Sequence, residues 1–159
     1  MYLLAITVGL CAAYFGLMFL FSMIFTNKFP VIPQKRSVFS VIVIALLSIV
    51  GYVISFSIPD PNLSNRFLRG FGGGFLAFLV CFLAVRDARI PVSRFQFFVF
   101  SFLVVTTLGV ANEIAEFFLQ TVTGIVYTPT ITDTWLDLSS NTVGIMIAAA
   151  CFTPFIKKE

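Results

Sequence analysis

A chain of 159 residues that is 59% hydrophobic and 11% charged, with a formal net charge of +3, cannot cover itself with a soluble surface. A soluble domain uses roughly a quarter of its residues as charges, so most of this surface faces lipid, where twenty-one phenylalanines are ordinary. The absence of histidine excludes serine–histidine catalysis, imidazole haem ligation and histidine-box di-iron chemistry, and no nucleic acid is expected as a partner.

Apolar runs of about twenty residues mark membrane-spanning helices. Five follow one another, at Met1–Phe25, Phe39–Ile58, Phe67–Val85, Gln96–Leu119 and Asp137–Ile156. The expected fold is all-α, a single polytopic helical bundle over residues 1–159, with no internal repeat and no separate soluble domain. The first span, beginning MYLLAITVGLCAAYFG, has no basic residue before Lys28 and stays apolar well past its alanines. It reads as a retained span rather than a cleaved signal peptide. Cys11, Cys81 and Cys151 are scattered through the spans, which suits packing and neither a disulfide framework nor a zinc site.

Lysine and arginine placement sets the expected orientation. Lys28, Lys35 and Arg36 follow the first span, Arg86, Arg89 and Arg94 follow the third, and Lys157 and Lys158 end the chain. With five spans these fall on one side, the cytoplasm, leaving only Arg66 and Arg69 opposite. The N-terminus is then outside and the C-terminus inside, in a multi-pass protein of the cytoplasmic membrane. Tyr2, Tyr127 and Trp135 fall near the outer interface. The RDAR segment, Arg86–Arg89, reads as a topology-setting loop.

The third span opens NRFLRGFGGGF, with Arg66 and Arg69 on one face at its outer end. Gly70, Gly73 and Gly74 beside them, with Gly144 in the fifth span, would let helix backbones approach closely. The fourth span ends in NEIAEFFLQ, where Glu113, Glu116 and Gln120 share a face flanked by Asn112. In the TDTWLDLSSNTVG stretch, Asp133, Asp137, Asn141 and Gly144 recur at helical spacing, and form one stripe if that segment is helical throughout. Thr134 and Asp137 alternatively form a cap. Charges within spans are costly, about 2.5–3.5 kcal/mol at a helix centre. Both acidic stripes should therefore face each other, or a wet recess, and meet the arginines. The outer side holds Asp60, Glu113, Glu116, Asp133 and Asp137 against two arginines, so protonation or a bound cation would be needed to balance it.

The E-x-x-E pattern of Glu113 and Glu116, followed by D-x-x-x-N-x-x-G at Asp137, Asn141 and Gly144, resembles the VanZ-like family and its YjdF-type relatives over about residues 37 to 156. The NRFLRGFGGGF stretch is similar to that family's D-K-x-x-H-F motif. Here Asn65 stands where aspartate is usual and Arg69 where histidine is usual, so the role of that histidine has no counterpart. The resemblance implies a helical cell-envelope protein; the namesake is associated with low-level teicoplanin resistance.

Three functions fit these residues. One is an enzyme acting at the outer leaflet on a lipid or lipid-linked envelope precursor. Glu113, Glu116 and Asp137 would be its catalytic candidates. Together with Asp133 they could hold Mg²⁺ or Mn²⁺, while Arg66 and Arg69, with Asn112, Asn141 and Gln120, bind substrate. The second is a non-catalytic accessory protein binding a lipid or a membrane protein partner, or using its charges as an interhelical lock. The third is a small proton-coupled transporter. Whether the chain is an enzyme stays open at this point.

Overall fold

The computed structural model describes residues 2–30, 34–125 and 130–156, excluding the side chains of Tyr2 and Gln34. Tyr127, Lys157 and Lys158, placed above at the membrane interfaces and in the basic tail, lie outside the described residues, as does the side chain of Tyr2. Five helices are long and apolar enough to cross a bilayer, and no strand occurs among the described residues. They are α1 (Tyr2–Thr26), α2 (Gln34–Phe56), α3 (Pro61–Asp87), α4 (Arg94–Thr123) and α5 (Ile131–Phe152), the last followed by a 3₁₀ turn at Thr153–Phe155.

The helix starts show how local chemistry moved the expected boundaries. Helix α3 begins at Pro61 rather than Phe67 because Asp60 caps it, its carboxylate accepting from the backbone N–H of Asn62 at 2.8 Å and of Leu63 at 3.4 Å. Proline in the first turn forgoes an N–H that would be unbonded anyway. Helix α4 starts with a capping box between Ser93 and Gln96 and ends at Gly124, whose φ of 70° suits a residue without a Cβ. Helix α5 begins at Ile131, not Asp137. Its cap is Thr130, which accepts from the backbone N–H of Asp133 at 3.2 Å and donates to the Asp133 carboxylate at 2.8 Å. The proposed Thr134/Asp137 cap is therefore displaced by a turn, and Asp137 is left free for a tertiary role.

Helix α3 is the central element: half of its apolar window is buried, against at most 28% in any other span. Its middle, Arg69–Leu76, is a π-helix set between α-helical ends. This wider winding coincides with the RGFGGGFL run, which packs along α5. A Cβ on Gly144 would overlap the carbonyl oxygen of Gly70, and one on Gly74 would overlap the carbonyl oxygen of Asn141. The small-residue seam expected from the sequence is thus a backbone-to-backbone contact.

Side-chain bonds tie the ends of the bundle. Ser64 Oγ donates to the Ser55 carbonyl across the α2–α3 turn at 2.8 Å. At the other end, Arg94 donates to the carbonyls of Ile156 at 3.0 Å and Pro154 at 2.7 Å, holding the start of α4 to the end of α5. Cys11, Cys81 and Cys151 are free thiols, as their scatter suggested.

Candidate functional site

Three carboxylates from two helices converge on one guanidinium from a third. Arg69, at the first π-helical position of α3, sends Nη1 to Glu113 Oε1 at 2.9 Å and to Glu116 Oε1 at 3.1 Å. Its Nη2 reaches Glu116 Oε2 at 3.2 Å and Asp137 Oδ2 at 3.3 Å. The two glutamates come from α4 and the aspartate from α5, so the acidic stripes do face each other with an arginine between them.

Helix α4 shows why the glutamates turn inward. Glu113 is buried, whereas Ile114, Phe117 and Phe118, on other faces of the same turns, are all more than 60% exposed. Apolar side chains take the lipid face, and the carboxylates take the one direction that offers a counter-charge. Asn112 Nδ2 donates to Glu116 Oε1 at 2.8 Å, orienting the carboxylate that bridges both guanidinium nitrogens. Gln120 lies one turn further along α4.

Arg66 belongs to a separate, looser pair, its Nη2 standing 3.8 Å from Asp133 Oδ1 with both side chains about one-third exposed. This distance makes Arg66–Asp133 a weak interaction near the surface. Asp60 caps α3 and takes no part. Of the five acids expected at this end, three meet Arg69, one faces Arg66 and one caps the start of α3.

The metal set of Glu113, Glu116, Asp133 and Asp137 is not assembled. Among the described residues no group of three or more acidic or thiol side chains has a metal-holding arrangement. The physical reason is that Arg69 occupies the point where the three nearest carboxylates meet, and Asp133 is drawn to Arg66. Phosphate gripping by Arg69 is likewise not prepared, since both of its Nη atoms are taken by carboxylates.

Beside this cluster lies a cavity of about 320 Å³ between α1, α3, α4 and α5. Its polar lining is Arg69, Glu116, Asn112, Asn141 and Asn65, and its apolar wall includes Ile6, Leu10 and Leu108. Asn141 fits between helices because two glycines leave room: a Cβ on Gly73 would lie 2.6 Å from its Oδ1, and one on Gly109 3.3 Å from its Nδ2. Asn141 Oδ1 and Glu113 Oε2 are both buried without a hydrogen-bond partner. Gly109 was not singled out in the sequence, where a lone glycine amid apolar residues carries no signal of its own.

Residues 3–158 match a family described as "Predicted membrane protein (DUF2238)". The chain belongs to that family. Membership makes it a multi-pass membrane protein of a family without an assigned function, and shows the membrane family without showing the VanZ-like group. No curated protein and no solved structure matches the chain. For this member of the DUF2238 family, function has to be argued from the site.

A second polar centre, which the sequence did not announce, lies at the opposite end of α3. Asp87, assigned above to a topology-setting loop, is instead a buried helical residue, only 1% exposed. Tyr14 donates its hydroxyl to Asp87 Oδ2 at 2.7 Å, Ser40 donates to the same oxygen at 2.5 Å, and Arg86 Nε donates to Oδ1 at 2.8 Å. Three helices are joined there: α1 by Tyr14, α2 by Ser40 and α3 by Asp87. The available signal was the hydroxyls of Tyr14 and Ser40 inside apolar spans, which need partners in lipid.

Proposed function

We propose that this protein recognises the polar headgroup of a lipid or lipid-linked envelope substrate in the cavity beside Arg69, and that the headgroup presents amine or hydroxyl donors. The observation that carries this reading is the surplus of acceptors in the charged cluster, of which Arg69 and Glu116 line the recess together with Asn141. Three carboxylates share one guanidinium, leaving the cluster acceptor-rich, and Asn141 Oδ1 and Glu113 Oε2 are buried acceptors with no partner. Buried acceptors left unbonded are destabilising, and a ligand or water bringing N–H or O–H groups relieves that. Apolar residues on the same cavity wall suit the hydrocarbon part of an amphiphile. Lysine and arginine placement argues that this end faces away from the cytoplasm. VanZ-like motif resemblance points the same way, towards the cell envelope.

A second reading has its own support: the saturation of both Arg69 Nη atoms is what a purely structural interhelical lock would show. Gly9→Leu separates the two. Gly9 lines the cavity, and a Cβ there meets nothing within 4 Å. Leucine would enter the recess from the α1 wall, and leucine suits a helix better than glycine. Native mass spectrometry of the purified protein should show a retained amine- or hydroxyl-bearing lipid that is lost in Gly9→Leu at unchanged thermal stability. If no lipid is retained by either protein, the lock is the better account.

A further inference from the structure

We propose that the opposite end of the bundle holds a phosphate-binding site made by Arg36 of α2 with Arg86 and Arg89 at the end of α3. A cavity of about 500 Å³ opens there, lined by these three arginines and, on its apolar side, by Phe82, Ile90 and Phe155 among others. A neighbouring recess of about 420 Å³ shares Arg36 and Arg86 and adds Lys35. Among the described residues no acidic side chain lines either one.

The surrounding bonds decide which cations are available. Arg94 is committed to the backbone of the C-terminal turn through the Pro154 and Ile156 carbonyls, and does not line the cavity. Arg86 is braced, with Nε on Asp87 and Nη2 on Ser40 Oγ at 3.0 Å, yet its side chain is still 39% exposed. Among the described residues the carboxylate at this end is Asp87, which is turned away from the cavity and held by Tyr14, Ser40 and Arg86. Among the described residues, one bound carboxylate against three arginines leaves a surplus of positive charge, on a pre-oriented guanidinium that suits oxyanions.

Arg89 gives the independent observation. Helix α3 ends in a Schellman motif, in which the Ile90 N–H reaches the Val85 carbonyl at 3.1 Å and the Arg89 N–H reaches the Arg86 carbonyl at 3.3 Å. The residue after the cap in this motif is usually glycine, because its backbone is left-handed. Here that residue is Arg89, with φ of 51°. A bulky side chain kept in a strained conformation points to a use for the side chain, and Arg89 lines the cavity.

The phosphate can come from an anionic lipid headgroup or from a soluble phosphate, and the two sources are separable. The full chain would be purified in neutral maltoside detergent and melted against sodium phosphate, with sodium chloride at matched ionic strength as control. In parallel it would be melted in nanodiscs of phosphatidylcholine with and without phosphatidylglycerol. We expect saturable stabilisation by phosphatidylglycerol, by phosphate, or by both; lipid alone identifies a headgroup site, and phosphate identifies a site open to soluble anions. Arg89→Gly relieves the backbone strain, so it should be at least as stable without ligand, yet bind about five-fold more weakly, the value of one basic residue near an anionic surface. Arg36→Gln, on an exposed helix position, should weaken binding to a similar degree. Stabilisation no greater than with chloride or with phosphatidylcholine alone, or equal in the wild type and both variants, overturns the proposal.

Discussion

Replacing Gly144 by alanine tests the contact on which the Arg69 site depends. A Cβ at that position would overlap the carbonyl oxygen of Gly70, and would stand 2.8 Å from the Gly70 carbonyl carbon and 3.0 Å from the Phe75 backbone nitrogen. All are backbone atoms of α3, so no rotamer change relieves the overlap and the two helices have to separate. Two effects of opposite sign compete. Alanine gains about 1 kcal/mol over glycine in helix preference, while overpacking a tight contact costs about 1–3 kcal/mol. Because the yielding atoms are backbone, the upper part of that range applies, for a net loss of about 1–2 kcal/mol. Separation also lengthens the Arg69–Asp137 pair, now 3.3 Å, since Arg69 adjoins Gly70 and Asp137 is two turns before Gly144 on α5. Unfolding by heat or by titrated denaturing detergent gives the measurement. Gly16→Ala is the reference, because a Cβ there meets nothing within 4 Å and should leave stability unchanged or raised. If Gly144→Ala proves as tolerated as Gly16→Ala, the close seam between α3 and α5 is wrong, and with it the positioning of the site.

The charged cluster makes further predictions. Arg69→Gln leaves Glu113, Glu116 and Asp137 facing one another without a counter-charge, and should cost about 3–5 kcal/mol in the same unfolding measurement. Arg69→Lys should not restore wild-type stability, because a single ammonium cannot reproduce a fork that contacts carboxylates through two nitrogens. Arg66→Gln should change stability by no more than about 1 kcal/mol, given a 3.8 Å separation at a partly exposed pair; a larger loss would show that Arg66 does more than face Asp133. Tyr14→Phe removes a donor to the buried Asp87 carboxylate and should destabilise by about 1.5–3 kcal/mol, with no effect on lipid retained at the Arg69 end.

The acidic stripes were legible because helical spacing is local. Glu113 with Glu116, and Asp133, Asp137 and Asn141, share faces by their intervals alone, and α5 proved helical throughout that segment. Close packing of Gly70 and Gly144 was legible for the same reason, as a pattern of small residues. Partner choice was not. Arg66 and Arg69 are three apart and look equivalent in sequence, yet one holds three carboxylates and the other stands loosely by Asp133. What separates them is the rotation of α3 against α4 and α5, together with the π-helical winding that begins at Arg69. Asp87 shows the same limit, for RDAR sits where a loop was expected, and only the extension of α3 to Asp87 brings that carboxylate under Tyr14 and Ser40.

By itself the sequence determined that this is a five-helix membrane protein, since hydropathy over about twenty residues is a local property set by bilayer thickness. It also determined that charges at one end had to find one another, because lipid offers them nothing else. The tertiary structure alone decided which apolar residues are buried and which charges pair. In lipid both the core and the outer surface are apolar, so no hydrophobic gradient tells Phe97, fully buried, from Phe95, which is 75% exposed. Packing shape makes that choice, and the Arg69 cluster follows from it.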